Sequence, residues 1–308
     1  MTAEFTIDEW MCAALARTIR DGEVVFHGFG SPCATVAMHV ATRTHAPHMV
    51  LVEGATSPLD PDPAFIPPTS NDWALIRRAA HVLRFEELFD LAARGGVDRM
   101  FLSGGQIDPY GNTNVTAIGS LPDPLVWSGE ASGEDPSATA RDHIDAVRAW
   151  RPRVKLGGGG GGCNLSATVR TLTLWTTRHR SGRTLVPRCD VLTDLGHVTP
   201  EGTREELGFP GGGPDWLITE LGVFDFPGGV ARLRQTYPDV SVDEVRAATG
   251  FELAVDPNLR PLPRPDPAAI ALIRRLDPLG IRRREFSERE LQRRFRLPGI
   301  EGSCTACL

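Results

Sequence analysis

Lysine is almost absent from this chain: Lys155 is the only one, so nearly all of its positive charge is arginine. Arginine suits anion recognition through its planar fork, but a GC-rich genome produces the same bias and is the simpler explanation. An excess of positive charge is also missing. The net charge is -6 over 308 residues, which gives no electrostatic case for binding nucleic acid or an anionic membrane. Long apolar runs are lacking as well. The first twenty residues mix acids with apolar side chains, unlike a signal peptide, and no later window reaches the length of a membrane span, so a cytoplasmic protein is expected.

Cysteine is sparse, with six residues in a chain too large to need covalent staples, and reduced thiols are the default. Cys304 and Cys307 form the one CxxC, at the end of the chain and without a second ligand pair, which reads as a frayed tail. The eight histidines include no HExxH, and no His/Cys/Asp grouping has ligand spacing, so no metal is expected. Gly-Lys-Ser or Gly-Lys-Thr after a glycine tract, a GxSxG elbow and the third glycine after Gly28-Phe29-Gly30 are all missing. Those gaps exclude a P-loop and a nucleophile elbow, and they make NAD a poor candidate.

What is present is an average globular composition, 41% hydrophobic and 23% charged. Thr6 and Glu9 make a capping-box pattern before the apolar stripe Trp10, Met11, Ala14, Leu15 and Ile19, predicting a helix. A strand follows over 23–27, a helix over 33–44 and a strand over 48–52. The pattern resumes with a helix over 85–93 and strands over 99–102, 171–175 and 216–219, then helices over 241–248 and 266–276. Such alternation predicts an α/β fold: an open, mostly parallel sheet with helices on both faces and ligands at the carboxyl ends of the strands. Proline density over 58–71 reads as a surface loop. Residues 122–153 read as an insertion, helical around 141–150, within one domain spanning 1–280. The arginine-rich residues 281–308 read as an exposed C-terminal extension.

Three features offer chemistry. Glu53 ends a buried apolar strand and precedes Gly54, so a partly desolvated carboxylate there has the reactivity to attack a thioester, with the glycine leaving room for a carbonyl. Position alone reads more simply as a strand-end charge reaching solvent. Six consecutive glycines, Gly157 to Gly162, can turn their N–H groups toward a thioester oxygen or can serve as a flexible linker. Gly104 to Asn114 has strong turn chemistry in Asp108-Pro109-Tyr110-Gly111, with the amides of Gln106, Asn112 and Asn114 available to orient a polar substrate or to brace the turn.

At these residues the chain resembles the β subunits of class I CoA-transferases of the glutaconate type, from about Glu9 to Asp277. Gly104-Gly105-Gln106-Ile107-Asp108-Pro109-Tyr110-Gly111-Asn112, with Asn114, is similar to that family's GGAQIDPYGNVN stretch. Asp21 to Val25, Glu205 to Gly211, Ala248 to Leu253 and Pro265 to Ala268 add shorter matches. The resemblance implies the NagB/RpiA-like CoA-transferase fold and a ping-pong transfer of CoA between an acyl-CoA and a carboxylic acid, with Glu53 as nucleophile. It also implies an α-type partner, in an α2β2 heterotetramer, and a CoA thioester as substrate with no permanently bound cofactor. Gly28, Gly30, Gly54 and Gly159, Gly160, Gly161 and Gly162 would then contact the oxyanion or CoA, and Gln106, Asn112 and Asn114 would orient the substrate.

One departure stands out: Glu53 is followed by glycine where those transferases have serine. That is similar to the β subunits of the steroid-ring-opening CoA-ester hydrolases, which would make Glu53 a base or orienting group. A non-catalytic scaffold subunit is the third possibility.

Overall fold

The computed structural model describes residues 4–54, 57–69, 72–119, 121 and 136–297. Its frame is set by four apolar segments that alternate with helices: β1 (Val24–His27), β2 (Val50–Val52), β3 (Arg99–Ser103) and β4 (Thr171–Thr176). With β5 (Pro214–Thr219) they pair in the order β5-β4-β3-β1-β2, every neighbour parallel. Strands buried on both faces must be apolar nearly throughout, and Val25, Phe26, Leu51, Val52, Met100, Phe101, Leu172 and Leu174 are all buried. Beyond β5 the sheet turns antiparallel through β6 (Gly222–Asp225) and β7 (Arg232–Thr236), and β8 (Ala254–Pro261) pairs parallel at the edge. Two short strands, Pro58–Leu59 and His81–Val82, extend the opposite edge in antiparallel sense, giving a ten-stranded, mostly parallel sheet.

Helices pack in two groups. α1 (Ile7–Ala16), α2 (Pro32–Thr42) and the helix Pro267–Leu276 contact one another, while Phe85–Ala93 packs on Gly162–Thr168. The expected caps form. Glu9 Oε2 accepts from the Thr6 amide at 2.9 Å, and Ser241 and Asp266 accept from the first-turn amides of Glu244 and Ala268. The described part of the 122–153 segment contains a helix, Pro136–Ala149, whereas 122–135 lies outside the described residues, as do Cys304 and Cys307.

The described part of the C-terminal segment, 281–297, corrects the expectation of an exposed extension. Ile281, Arg282, Phe286, Glu290 and Leu297 are buried, and Arg294–Arg296 pairs antiparallel with Glu4–Thr6. Arg282 accounts for much of this, because its guanidinium lies 2.8 Å from a carboxylate oxygen of Asp8 and 2.8 Å from one of Asp277. The arginines that looked like a solvated face are, at this position, the counter-charges of buried acids on α1. Arg282→Ala strands those carboxylates, so it is expected to cost about 3–5 kcal/mol and to lower the thermal midpoint by roughly 10 °C. A scanning-calorimetry midpoint within about 2 °C of the native chain would contradict this.

Candidate active site

The carboxyl ends of β1 and β2 place His27 and Glu53 side by side. Glu53 is wholly buried. Its Oε1 lies 2.7 Å from His27 Nε2, and its Oε2 lies 3.3 Å from His39 Nε2. Only the first contact has hydrogen-bond geometry, so Oε2 is a buried oxygen without a hydrogen bond among the described residues. His39 arrives from α2, where Thr35 precedes it by four residues, so that both side chains fall on one face of the helix. Thr35 donates its hydroxyl to the Ser31 carbonyl at 3.1 Å, and the same oxygen stands 3.2 Å from His27 Nε2.

The other ring nitrogen of His27 is 2.8 Å from the Gly28 carbonyl. The shortest contact of each nitrogen is to an oxygen, with the Gly54 amide a longer neighbour of Nε2 at 3.3 Å, and those shortest contacts are satisfied when the ring carries two protons and Glu53 is ionised. Burial alone would depress the His27 pKa, but the Glu53 charge, the bond to it and the bond to Gly28 outweigh it, and the net shift is upward. Burial alone would raise the Glu53 pKa, yet the charge and hydrogen bond of His27, with a further contribution from His39, hold it far below the usual carboxylate range. Glu53 is thus a buried carboxylate held in its ionised form, with Oε1 bonded to His27 and Oε2 near His39 but without a hydrogen bond among the described residues.

It faces a cavity of about 350 Å³ whose walls include Ser31, Thr35, Ile66, Leu75, Ile281 and Glu285. The proline-rich stretch read as a plain surface loop supplies part of that wall through Ile66, Pro67 and Pro68. A second cavity of about 320 Å³ lies over the ends of β3 and β4, lined by Ser103, Gly104, Gly105, Gly157, Thr177 and Arg178. Glu285 lines both, so the two cavities adjoin at this residue along the carboxyl edge of the parallel strands, as the two chambers of a cleft.

The other sequence-derived candidates divide. Gly30 lines the first cavity, Gly28 supplies the carbonyl that orients His27, and the Gly54 amide lies 3.3 Å from His27 Nε2. Of the glycine tract, Gly157 lines the second cavity, whereas Gly159 to Gly162 line neither. A side chain on Gly161 would collide with Phe89, and one on Gly162 would crowd Asp194, so those glycines permit close packing where the helix Gly162–Thr168 begins.

Gln106, Asn112 and Asn114 are a correction, because all three are buried and their amides are used internally. Asn112 donates to Asp108 and to the Val198 carbonyl, Asn114 donates to Gln106 and to the Ala117 carbonyl, and Gln106 donates to Asp190. They brace the turn and touch neither cavity. Conversely, His27, His39 and Thr35 were missed. The one sequence signal for them is polarity where burial was already predicted: a histidine closing an apolar strand, and a Thr-x-x-x-His pair inside an apolar helix.

The chain belongs to the coenzyme A transferase family, whose model matches residues 9–248. It is similar to the B subunit of glutaconate CoA-transferase from Acidaminococcus fermentans, 28% identical over 285 residues, covering 89% of this chain and 93% of that one. The B subunit of 3-oxoadipate CoA-transferase from Pseudomonas knackmussii is 26% identical over 276 residues, covering 89% and 94%. The cholesterol ring-cleaving hydrolase IpdB subunit of Mycobacterium tuberculosis is 25% identical over 280 residues, covering 90% and 97%. Among solved structures, the decarboxylase AibA/AibB superposes with a TM-score of 0.71 at 31% identity, over 91% of this chain and 98% of that one. The fold is therefore that of the CoA-transferases, and this chain is of their β type. No helix among the described residues is long and apolar enough to cross a membrane.

Proposed function

We propose that this chain is the β-type subunit of a cytoplasmic CoA-transferase, working with an α-type partner in an α2β2 assembly, and that Glu53 is its nucleophile. The observation that carries this reading is a wholly buried, ionised Glu53 that lines the cleft and whose Oε2, 3.3 Å from His39, makes no hydrogen bond among the described residues. A carboxylate with water stripped from one oxygen has lost the solvation that would otherwise blunt its attack. Oε2 adds to the thioester carbonyl, the C–S bond breaks, and CoA leaves as thiolate from a glutamyl-acyl anhydride. The thiolate then adds to the Glu53 carbonyl and expels the acyl group as a carboxylate, leaving a glutamyl-CoA thioester. An acceptor carboxylate reverses the sequence. No net proton moves, and coenzyme A enters as substrate, not as a resident cofactor. Both intermediates hydrolyse readily, so exclusion of water is required, and a cleft covered by a second subunit supplies it. The similarity to the B subunits of two CoA-transferases supports the same reading.

The test is to coexpress the chain with its α-type partner, add an acyl-CoA, and look by mass spectrometry for CoA on the peptide containing Glu53. A borohydride-sensitive adduct is expected. Ring-opened or hydrolysed product formed with no adduct and no need for an acceptor acid would replace transfer by the hydrolase reading, which the similarity to the ring-cleaving hydrolase subunit keeps in view.

A further inference from the structure

Glu285 lies outside the part of the chain that matches the family model, yet it stands where the two chambers of the cleft meet. Its backbone is held in place from both sides. The Glu285 carbonyl accepts from Thr177 Oγ1 at 2.8 Å and from Arg178 Nε at 3.2 Å. One residue earlier Arg284 donates to the Pro68 carbonyl at 2.8 Å, and one residue later Phe286 is buried. The side chain is different, because among the described residues its half-buried carboxyl takes part in no hydrogen bond. A fixed backbone carrying an unengaged carboxyl into a substrate cleft is an arrangement that packing alone does not require.

We propose that Glu285 is a specificity-determining residue for the carboxylate substrate, contacting it at the junction of the chambers. This rests on the transferase reading, in which a carboxylate must approach Glu53, itself an anion. When Glu285 is protonated it donates a hydrogen bond to the incoming carboxylate. When it is ionised it adds a second negative charge and repels the carboxylate. Burial pushes its pKa up to about 7, against the pull of Arg178, so that both forms are populated near neutrality. The charged and titratable groups facing it are Arg178 at the end of β4, the Cys33 thiol on α2, Arg284 beside it, and the His27–Glu53 pair across the first chamber. Of these, Glu53 is held ionised by His27, whose own titration is shifted upward by Glu53, and E285Q leaves that pair intact, so the variant separates the titration of Glu285 from theirs.

The probe is glutarate, titrated calorimetrically into the complex of the chain with its α-type partner at pH 6.0 and 8.5. Native complex is expected to bind at least roughly tenfold more weakly at pH 8.5, as a group titrating near 7 passes from mostly protonated to almost wholly ionised. E285Q, whose amide donates at any pH, is expected to change by less than about twofold between the two. Three results overturn the proposal: no glutarate binding at either pH, a native affinity flat with pH, or an E285Q complex that keeps the native pH dependence. CoA transfer measured on the same samples separates the two ideas. Transfer with flat glutarate affinity sinks the role of Glu285 alone, while affinity that follows Glu285 without any transfer sinks the transferase reading.

Discussion

Glu53→Gln is expected to lower kcat/KM for CoA transfer by about 10⁴-fold or more, the scale seen when a covalent nucleophile is removed from a preorganised site. Glutamine has nearly the same shape, so the cavity walls stay in place, but its amide cannot form an anhydride or a thioester with CoA. The CoA adduct on the Glu53 peptide should vanish with the rate. Glu53→Asp separates chemistry from placement, because it keeps the carboxylate and withdraws it from the cleft by one methylene. Misplacement on the scale of 1 Å costs about 10²-fold, so this variant should fall between the native enzyme and the glutamine variant, with weak but detectable adduct. Both variants are assayed in the coexpressed complex at saturating acceptor. Glutamine at position 53 retaining transfer within tenfold of native would remove Glu53 from the mechanism and leave the chain a scaffold for its partner's chemistry.

What the sequence disclosed and what it hid follow from the range of the interactions. Caps are local, and Thr6 with Glu9, Ser241 and Asp266 were legible because each partner lies within three residues. The parallel sheet was legible because strands buried on both faces are apolar nearly throughout, and the carboxylate at a strand end was legible because its polarity breaks such a run. The partners of Glu53 were not. His27 and His39 lie 26 and 14 residues earlier, and only the parallel pairing of β1 with β2 and the seating of α2 bring them to one point.

The C-terminal segment misled for the same reason, on a larger scale. Glu9 was legible only as the partner of Thr6 and the arginine-rich stretch only as solvated, yet Asp8 and Glu9 pair with Arg282 across most of the chain. The amides of Gln106, Asn112 and Asn114 erred in the opposite direction. Their polarity suggested a ligand, but a tight turn that buries its own backbone needs those same donors for itself.

His27→Leu is expected to be the most damaging single change to stability at the site and to make stability depend on pH where the native pair leaves it nearly flat. In the native chain the His27 pKa is raised, so its contribution is full below the unfolded value of 6.5 and is lost as pH rises through the folded value. Glu53 is shifted down, so its contribution is full above the unfolded value of 4.5 and is lost as pH falls through the folded value. Between about pH 4.5 and 6.5 both contributions are present and the pair adds little slope of its own. Leucine leaves a buried carboxylate without its main partner, at a cost of about 3–5 kcal/mol near neutrality. The Glu53 pKa must then rise above its unfolded value, and the variant regains stability as pH falls and the carboxyl takes up a proton. Urea unfolding at pH 5 and pH 6.5, within the window where the native pair adds little slope, reads this directly: the leucine variant should be more stable at pH 5 than at pH 6.5, and the native chain nearly equal at both. Transfer activity should move with it, because the attacking species is the carboxylate, and its acid limb should shift toward higher pH. His39→Leu provides the scale, since its contact at 3.3 Å lacks hydrogen-bond geometry and its loss should cost less. Equal losses from both substitutions, or a His27→Leu profile parallel to the native one, would mean that Glu53 is not held by His27 and that its charge comes from elsewhere in the cleft.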